Sequence, residues 1–121
     1  MNLVVWIGVG AIGGVGALGR FAGDSAIERR FSPSFPLGTL LINLSGAMTL
    51  GILNGAGLTG DALLLAGTSF LGSYTTFSTL TFETNRLSED GEYAIALANL
   101  IGSLAAGLVA AALGWFIGSA V

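Results

Sequence analysis

Histidine and cysteine are both absent from this chain, and charge is scarce. Without cysteine there is no disulfide and no thiolate metal site. Without histidine the usual general base and the commonest metal ligand are missing. Charged residues make up 9% of the chain, against about 25% in a soluble domain, so lipid must cover the surface that polar groups cannot. The four basic residues form no patch, which sets nucleic-acid binding aside. No nucleophile–base pair stands out, so an enzyme is not expected. The long apolar runs carry no ionisable side chain in their interiors, with Glu83 at the end of one of them. Proton-coupled pumps and exchangers usually hold an embedded Asp, Glu or His, so proton coupling is disfavoured.

What is present is apolar. Hydrophobic residues make up 53% of 121 residues, and the mean hydropathy is +0.84. The runs predict a single all-α membrane domain over residues 1–121, with four spans at about 3–20, 36–58, 62–83 and 93–119. Residues 1–19 are uncharged and end at Arg20. A signal peptide competes for this run, but no basic segment precedes it and glycines are dense throughout, so it reads as the first span. It contains Gly8-Val9-Gly10-Ala11-Ile12-Gly13 and a second such hexad at residues 14–19. Both match a dinucleotide fingerprint, yet the strand–helix context that the fingerprint needs is missing. Close helix packing through Gly10 with Gly14, and Gly13 with Ala17, is the better reading.

Residues 21–36 read as a polar connection with Asp24, Glu28, Arg29 and Arg30, holding a short interfacial helix broken at Ser32-Pro33 and Phe35-Pro36. Pro36 marks the start of the second span. There Asn43, Ala47, Gly51 and Gly55 make one small or polar stripe. Thr59-Gly60-Asp61 reads as a tight turn, and residues 83–92 as a charged loop. The last span carries a second stripe, Asn99, Ser103, Gly107 and Ala111, and has Trp115 near its far end, as expected at an interface.

The third span departs from this pattern. Within Gly72-Ser73-Tyr74-Thr75-Thr76-Phe77-Ser78-Thr79-Leu80, seven of nine residues are Gly, Ser, Thr or Tyr. Such a run is a poor continuous helix. In hydrocarbon a helix breaks only where the freed backbone groups face protein, water or an ion. A helix broken at its centre, with carbonyls and hydroxyls set to a polar task, is therefore predicted; ordinary packing by Ser and Thr is the alternative. Hydroxyl and amide donors can replace an anion's water, turned-out carbonyls can bind a cation, and Phe edges carry partial positive charge. The residues alone point to a passive path for a small ion.

The Gly-rich first span ending in Arg20, the run Phe35-Pro36-Leu37-Gly38-Thr39-Leu40-Leu41-Ile42-Asn43 and the run Gly72-Ser73-Tyr74-Thr75-Thr76-Phe77-Ser78-Thr79 together resemble the Fluc, or CrcB, fluoride channel family over essentially the whole chain. The resemblance implies passive fluoride export across the bacterial inner membrane, lowering cytoplasmic fluoride. It also implies four-helix subunits paired antiparallel, with two pores, and a structural Na⁺ at the dimer centre. By resemblance, the backbone carbonyls of Gly72 and Thr75 hold the Na⁺. Asn43, Phe77, Ser78, Thr79 and Ser103 line the fluoride path.

Two positions depart from the family pattern. Leu80 stands where a second Phe is usual, and Asn99 where many members have a pore-facing Tyr. Arg20, Arg29, Arg30 and Arg86 all lie at one end of the four spans, and the positive-inside rule then favours one orientation, termini outside. Two assemblies stay open: a dual-topology homodimer, or a heterodimer with a paralogous subunit in which this chain is a non-conducting half. A small four-span drug or cation exporter is the alternative of another class. It needs an acid in the first span, and residues 3–19 have none.

Overall fold

The computed structural model describes residues 2–31 and 35–121. Its elements are α1 (Leu3–Phe31), α2 (Leu37–Gly55), α3 (Gly60–Leu63), a π-helical stretch Leu64–Leu71, α4 (Gly72–Tyr74), α5 (Ser78–Glu89) and α6 (Tyr93–Ser119). No strand occurs among the described residues. Helices α1, α2 and α6 are long and apolar enough to cross a membrane. At a rise of about 1.5 Å per residue, the 27 residues of α6 reach about 40 Å, beyond a hydrocarbon core of about 30 Å. The remaining rod is shared by two shorter pieces, 60–74 and 78–89, with a bend between them.

Helix α1 runs unbroken to Phe31. The sequence reading ends the first span near residue 20 and expects a polar connection with a separate interfacial helix, and the structure corrects this. Between Arg20 and Phe31 there is no proline, and Gly23 is the one residue there with markedly poor helix propensity. Arg29 Nε also donates to the Ser25 carbonyl one turn back, at 3.3 Å. The break expected at Ser32-Pro33 lies outside the described residues. Pro36 caps the start of α2, as its fixed φ favours.

Two helix ends close in the same way. Leu58 N–H donates to Leu53 O and Gly57 N–H to Asn54 O, with Gly57 at φ 85°. Glu92 N–H donates to Leu87 O and Gly91 N–H to Ser88 O, with Gly91 at φ 80°. Both are Schellman closures, which need a left-handed residue that glycine adopts without a Cβ penalty. They turn the chain sharply between α2 and α3 and between α5 and α6.

The most extensive packing is between α2 and α6, which run parallel. A Cβ on Gly51 would overlap the Ala111 carbonyl, and one on Gly55 the Trp115 carbonyl. In return, Gly114 lies on the Met48 carbonyl and Gly118 on the Ile52 carbonyl. Two small-xxx-small ridges thus interlock backbone to backbone, the packing that helices use where lipid removes a hydrophobic driving force. Helix α1 lies along the π-helical stretch, with Gly16 under the Phe70 carbonyl and the Ser69 hydroxyl donating to Val9 O. Gly10 and Gly14, expected as a packing pair, face open space, while Gly13 meets Ser69 and Ser73. Gly107, in the expected stripe of α6, also has nothing near it.

Few large side chains are buried, and many are not. Trp6, Leu18, Leu97, Leu108 and Phe116 are all exposed on the outer faces of α1 and α6. Large apolar side chains exposed along two long helices suit lipid or another subunit, not water.

Candidate ion path at the break in the third span

The break has a local cause at each step. The stretch Leu64–Leu71 is wound as a π-helix, a form often found at functional sites. After one α-helical turn, Thr75 is extended at φ −79°, ψ 161°. Thr75 N–H still donates to Leu71 O at 2.9 Å, so the helix ends there and not before. Gly46 on α2 makes room: a Cβ there would overlap the Thr75 methyl and crowd the Tyr74 ring.

Asn43 reads the break from the neighbouring helix. Its Nδ2 donates to Thr76 O at 2.8 Å, and its Oδ1 accepts from Thr76 N–H at 2.8 Å. The amide thus pairs with the Thr76 peptide as another strand's backbone would. Thr76 is itself buried, and its hydroxyl caps α5 by accepting from Thr79 N–H at 3.2 Å. That hydroxyl also lies 3.3 Å from Ser78 Oγ and 3.2 Å from Thr79 Oγ1. Side-chain polar groups of Asn43, Thr76, Ser78 and Thr79 therefore converge at the break.

The same bonds free two carbonyls. In a continuous helix, Gly72 O would take the Thr76 N–H and Thr75 O the Thr79 N–H. The first donor goes to Asn43 and the second to the Thr76 hydroxyl. Gly72 and Thr75 open with Asn43, Gly46, Ala47 and Thr68 onto a groove of about 390 Å³. A hard cation takes oxygen ligands of this kind.

The residues proposed from sequence separate into three places. Asn43, Ser78 and Thr79 meet at Thr76. Phe77 points away from this subunit and is 64% exposed. Ser103 lies apart, buried on α6, where its hydroxyl reaches Asn99 Oδ1 at 3.5 Å. Asn99 is fully buried; its Nδ2 donates to Thr84 Oγ1 at 2.9 Å, and Thr84 donates to Leu80 O at 2.7 Å. Leu80 is 3% exposed, so this side chain serves the contact between α5 and α6. Two participants escaped the sequence reading: Thr76, which organises the break, and Thr84. Both sit in hydroxyl-rich stretches, and only the position of the break reveals which hydroxyl caps a helix.

A cavity of about 200 Å³ beside Thr76 and Thr79 is also lined by Arg20, Phe21, Asp24, Thr39 and Ile42. The cavity thus sets the Arg20 guanidinium and the Asp24 carboxylate near the hydroxyls of the break.

A family model described as CrcB-like protein, Camphor Resistance (CrcB), matches residues 7–115. A protein of Mycolicibacterium paratuberculosis named fluoride-specific ion channel FluC 2 is 54% identical over 113 residues, 93% of each chain. One of Mycobacterium tuberculosis with the same name is 50% identical over 117 residues, 97% of this chain and 93% of the relative. A FluC 1 of Leifsonia xyli is 38% identical over 122 residues, 98% of this chain and 89% of the relative. These relatives are named as ion channels, and with the family match spanning nearly the whole sequence, the chain is a member of the CrcB-like family.

Proposed function

We propose that the chain is a fluoride-specific ion channel, passing fluoride down its gradient across the cell membrane and so lowering cytoplasmic fluoride. The observation that carries this is the break, where Asn43, Thr76, Ser78 and Thr79 gather amide and hydroxyl groups inside an apolar bundle. Relatives at 50–54% identity are named for this activity. The side chains that meet at the break are uncharged, which suits passive flow. Expression in a bacterium stripped of its own fluoride exporters tests it: growth in millimolar fluoride returns if the reading holds, and stays inhibited if it does not.

The path belongs to a dimer in this reading. Asn43 and Thr75 open onto an outer groove, and Phe77 offers its ring to the outside. A second subunit, antiparallel, covers these groups and supplies a ring edge to the ion. Fluoride then moves along Asn43, Ser78 and Thr79, past Phe77, and along the track marked by Ser103. A structural Na⁺ at the dimer centre fits the two carbonyls freed at Gly72 and Thr75. Bound there, it would neutralise the converging carbonyl dipoles and tie the two breaks together. The membrane is the bacterial inner membrane.

A heterodimer is a second reading with support of its own. Leu80 is buried against α6 and offers no ring, and the arginines are gathered at one end of the bundle. Relatives also carry the numbers 1 and 2 in their names.

A further inference from the structure

A larger groove, of about 780 Å³, opens to the outside between α1, α2 and α6. On α2 it is lined by Leu41, Leu44, Ser45 and Met48, an i, i+3, i+4, i+7 stripe. The groove at the break uses Asn43, Gly46, Ala47 and Leu50, the same spacing displaced by two residues. Two residues of an α-helix are about 200° of rotation, so the two grooves lie on opposite faces of α2. A second subunit seated over the break therefore leaves the larger groove uncovered. Its wall on α6 includes Val109 and Leu113, both more than half exposed.

The lining decides what fits there. Its two hydroxyls are already spent: Ser45 Oγ donates to Ile42 O at 3.0 Å and lies 3.0 Å from Tyr74 Oη. The rest of the wall is apolar and offers nothing to a polar ligand, which would lose its water without recompense. A hydrocarbon chain loses nothing. At about 1.5 Å per residue, the stripe from Leu41 to Met48 is about 10 Å long, within the roughly 15 Å of one leaflet's hydrocarbon.

The end of the groove carries charge. On α1 the lining residues Gly23, Ala26 and Ile27 follow an i, i+3, i+4 stripe whose next member, at i+7, is Arg30. Arg30 is thus one turn beyond the groove, exposed, with its guanidinium 5.9 Å from the centre of the Phe31 ring. Arg29 beside it is exposed as well. The acids of this part of α1 are turned to the start of α2: Asp24 lies against Gly38, and Glu28 accepts from the Gly38 N–H at 3.4 Å. Arginines at a membrane surface attract anionic headgroups.

We infer that this groove seats an acyl chain of an anionic phospholipid whose headgroup rests on Arg30, with Arg29 beside it. One molecule satisfies both features, the apolar slot and the cation one turn above it. The site is separate from the break and does not depend on which ion the chain passes.

Phosphatidylglycerol is the probe, and phosphatidylcholine with the same acyl chains is the control. Each is titrated into the purified full chain in a nonionic detergent, and bound lipid is counted by native mass spectrometry. The expected result is one retained phosphatidylglycerol per chain, held at least tenfold more tightly than phosphatidylcholine. Arg30→Gln should bring the two lipids level. Val109→Trp, which fills the groove from an exposed position, should remove the bound lipid with the charge unchanged. Arg86→Gln, an exposed arginine on another helix, should leave it in place. Equal retention of both lipids by the unsubstituted chain overturns the inference, and so does phosphatidylglycerol binding that survives both Arg30→Gln and Val109→Trp. The chain has no cysteine, so Val109→Cys gives a single thiol for a benzophenone label. In membranes that label should react with lipid; an adduct to a second copy of the chain would show that a subunit fills the groove, and would overturn the inference too.

Discussion

Asn43 spends most of its hydrogen-bonding capacity on one peptide unit, that of Thr76. It therefore positions the break, and in the proposed path it is also a donor. Asn43→Ala leaves the Thr76 N–H free to return to Gly72 and removes an amide from the cavity. A lost donor of about 1.5 kcal/mol at the barrier is roughly tenfold in rate. Fluoride flux should fall by about that factor or more, while gel filtration shows an unchanged assembly; undiminished flux would remove Asn43 from the path. Phe77 presents its ring outside the subunit. Phe77→Ile keeps an apolar side chain and deletes the positive ring edge, so flux should drop at least as far with folding intact. Rates equal to the unsubstituted protein would show that the ring does not meet the ion.

At the scale of elements, the interlocked backbones of α2 and α6 hold the scaffold against which the break is set. Gly118 touches the Ile52 carbonyl directly, and backbone cannot yield as a flexible side chain can. Gly118→Ile should therefore destabilise the fold by about 1–3 kcal/mol, read as a lower midpoint in thermal unfolding in detergent. The Gly10→Ala change, which faces open space, should not lower that midpoint, and helix propensity should raise it slightly. These two glycines also show what could be read beforehand. Four apolar runs and a hydroxyl-rich interruption are visible in the chain, because length, charge and helix propensity are properties of the chain alone. Which glycines are contacts is not, since Gly10 and Gly118 have equal claim by spacing and only the crossing of two helices chooses between them. The length of α1 was hidden for a related reason: its charged turns read as a loop, although nothing in them stops a helix. The site was legible as residue types around Phe77 and Asn43. That Asn43, Ser78 and Thr79 meet at Thr76 depended on where the helix stops.

For the whole molecule, the proposed channel pairs this chain with a second subunit. In that proposal the freed carbonyls of Gly72 and Thr75 are the ligands of the Na⁺. Exchanging Na⁺ for a large organic cation such as N-methylglucamine should then weaken the dimer or silence the channel; indifference to the exchange would argue against a structural ion there. Orientation separates the two assemblies. Tags on the C-terminus should report both sides of the membrane for a dual-topology homodimer, and one side for a heterodimer subunit with its arginines inside.

Fluoride efflux from liposomes that contain only this purified chain, with a chloride control, is the decisive measurement. A fluoride-specific channel gives rapid efflux of fluoride and none of chloride, and such a result would show that one kind of subunit suffices with Leu80 in place. Equal passage of both halides would contradict a fluoride-specific path. No efflux from this chain, alone or reconstituted with a sister subunit, would contradict the channel itself.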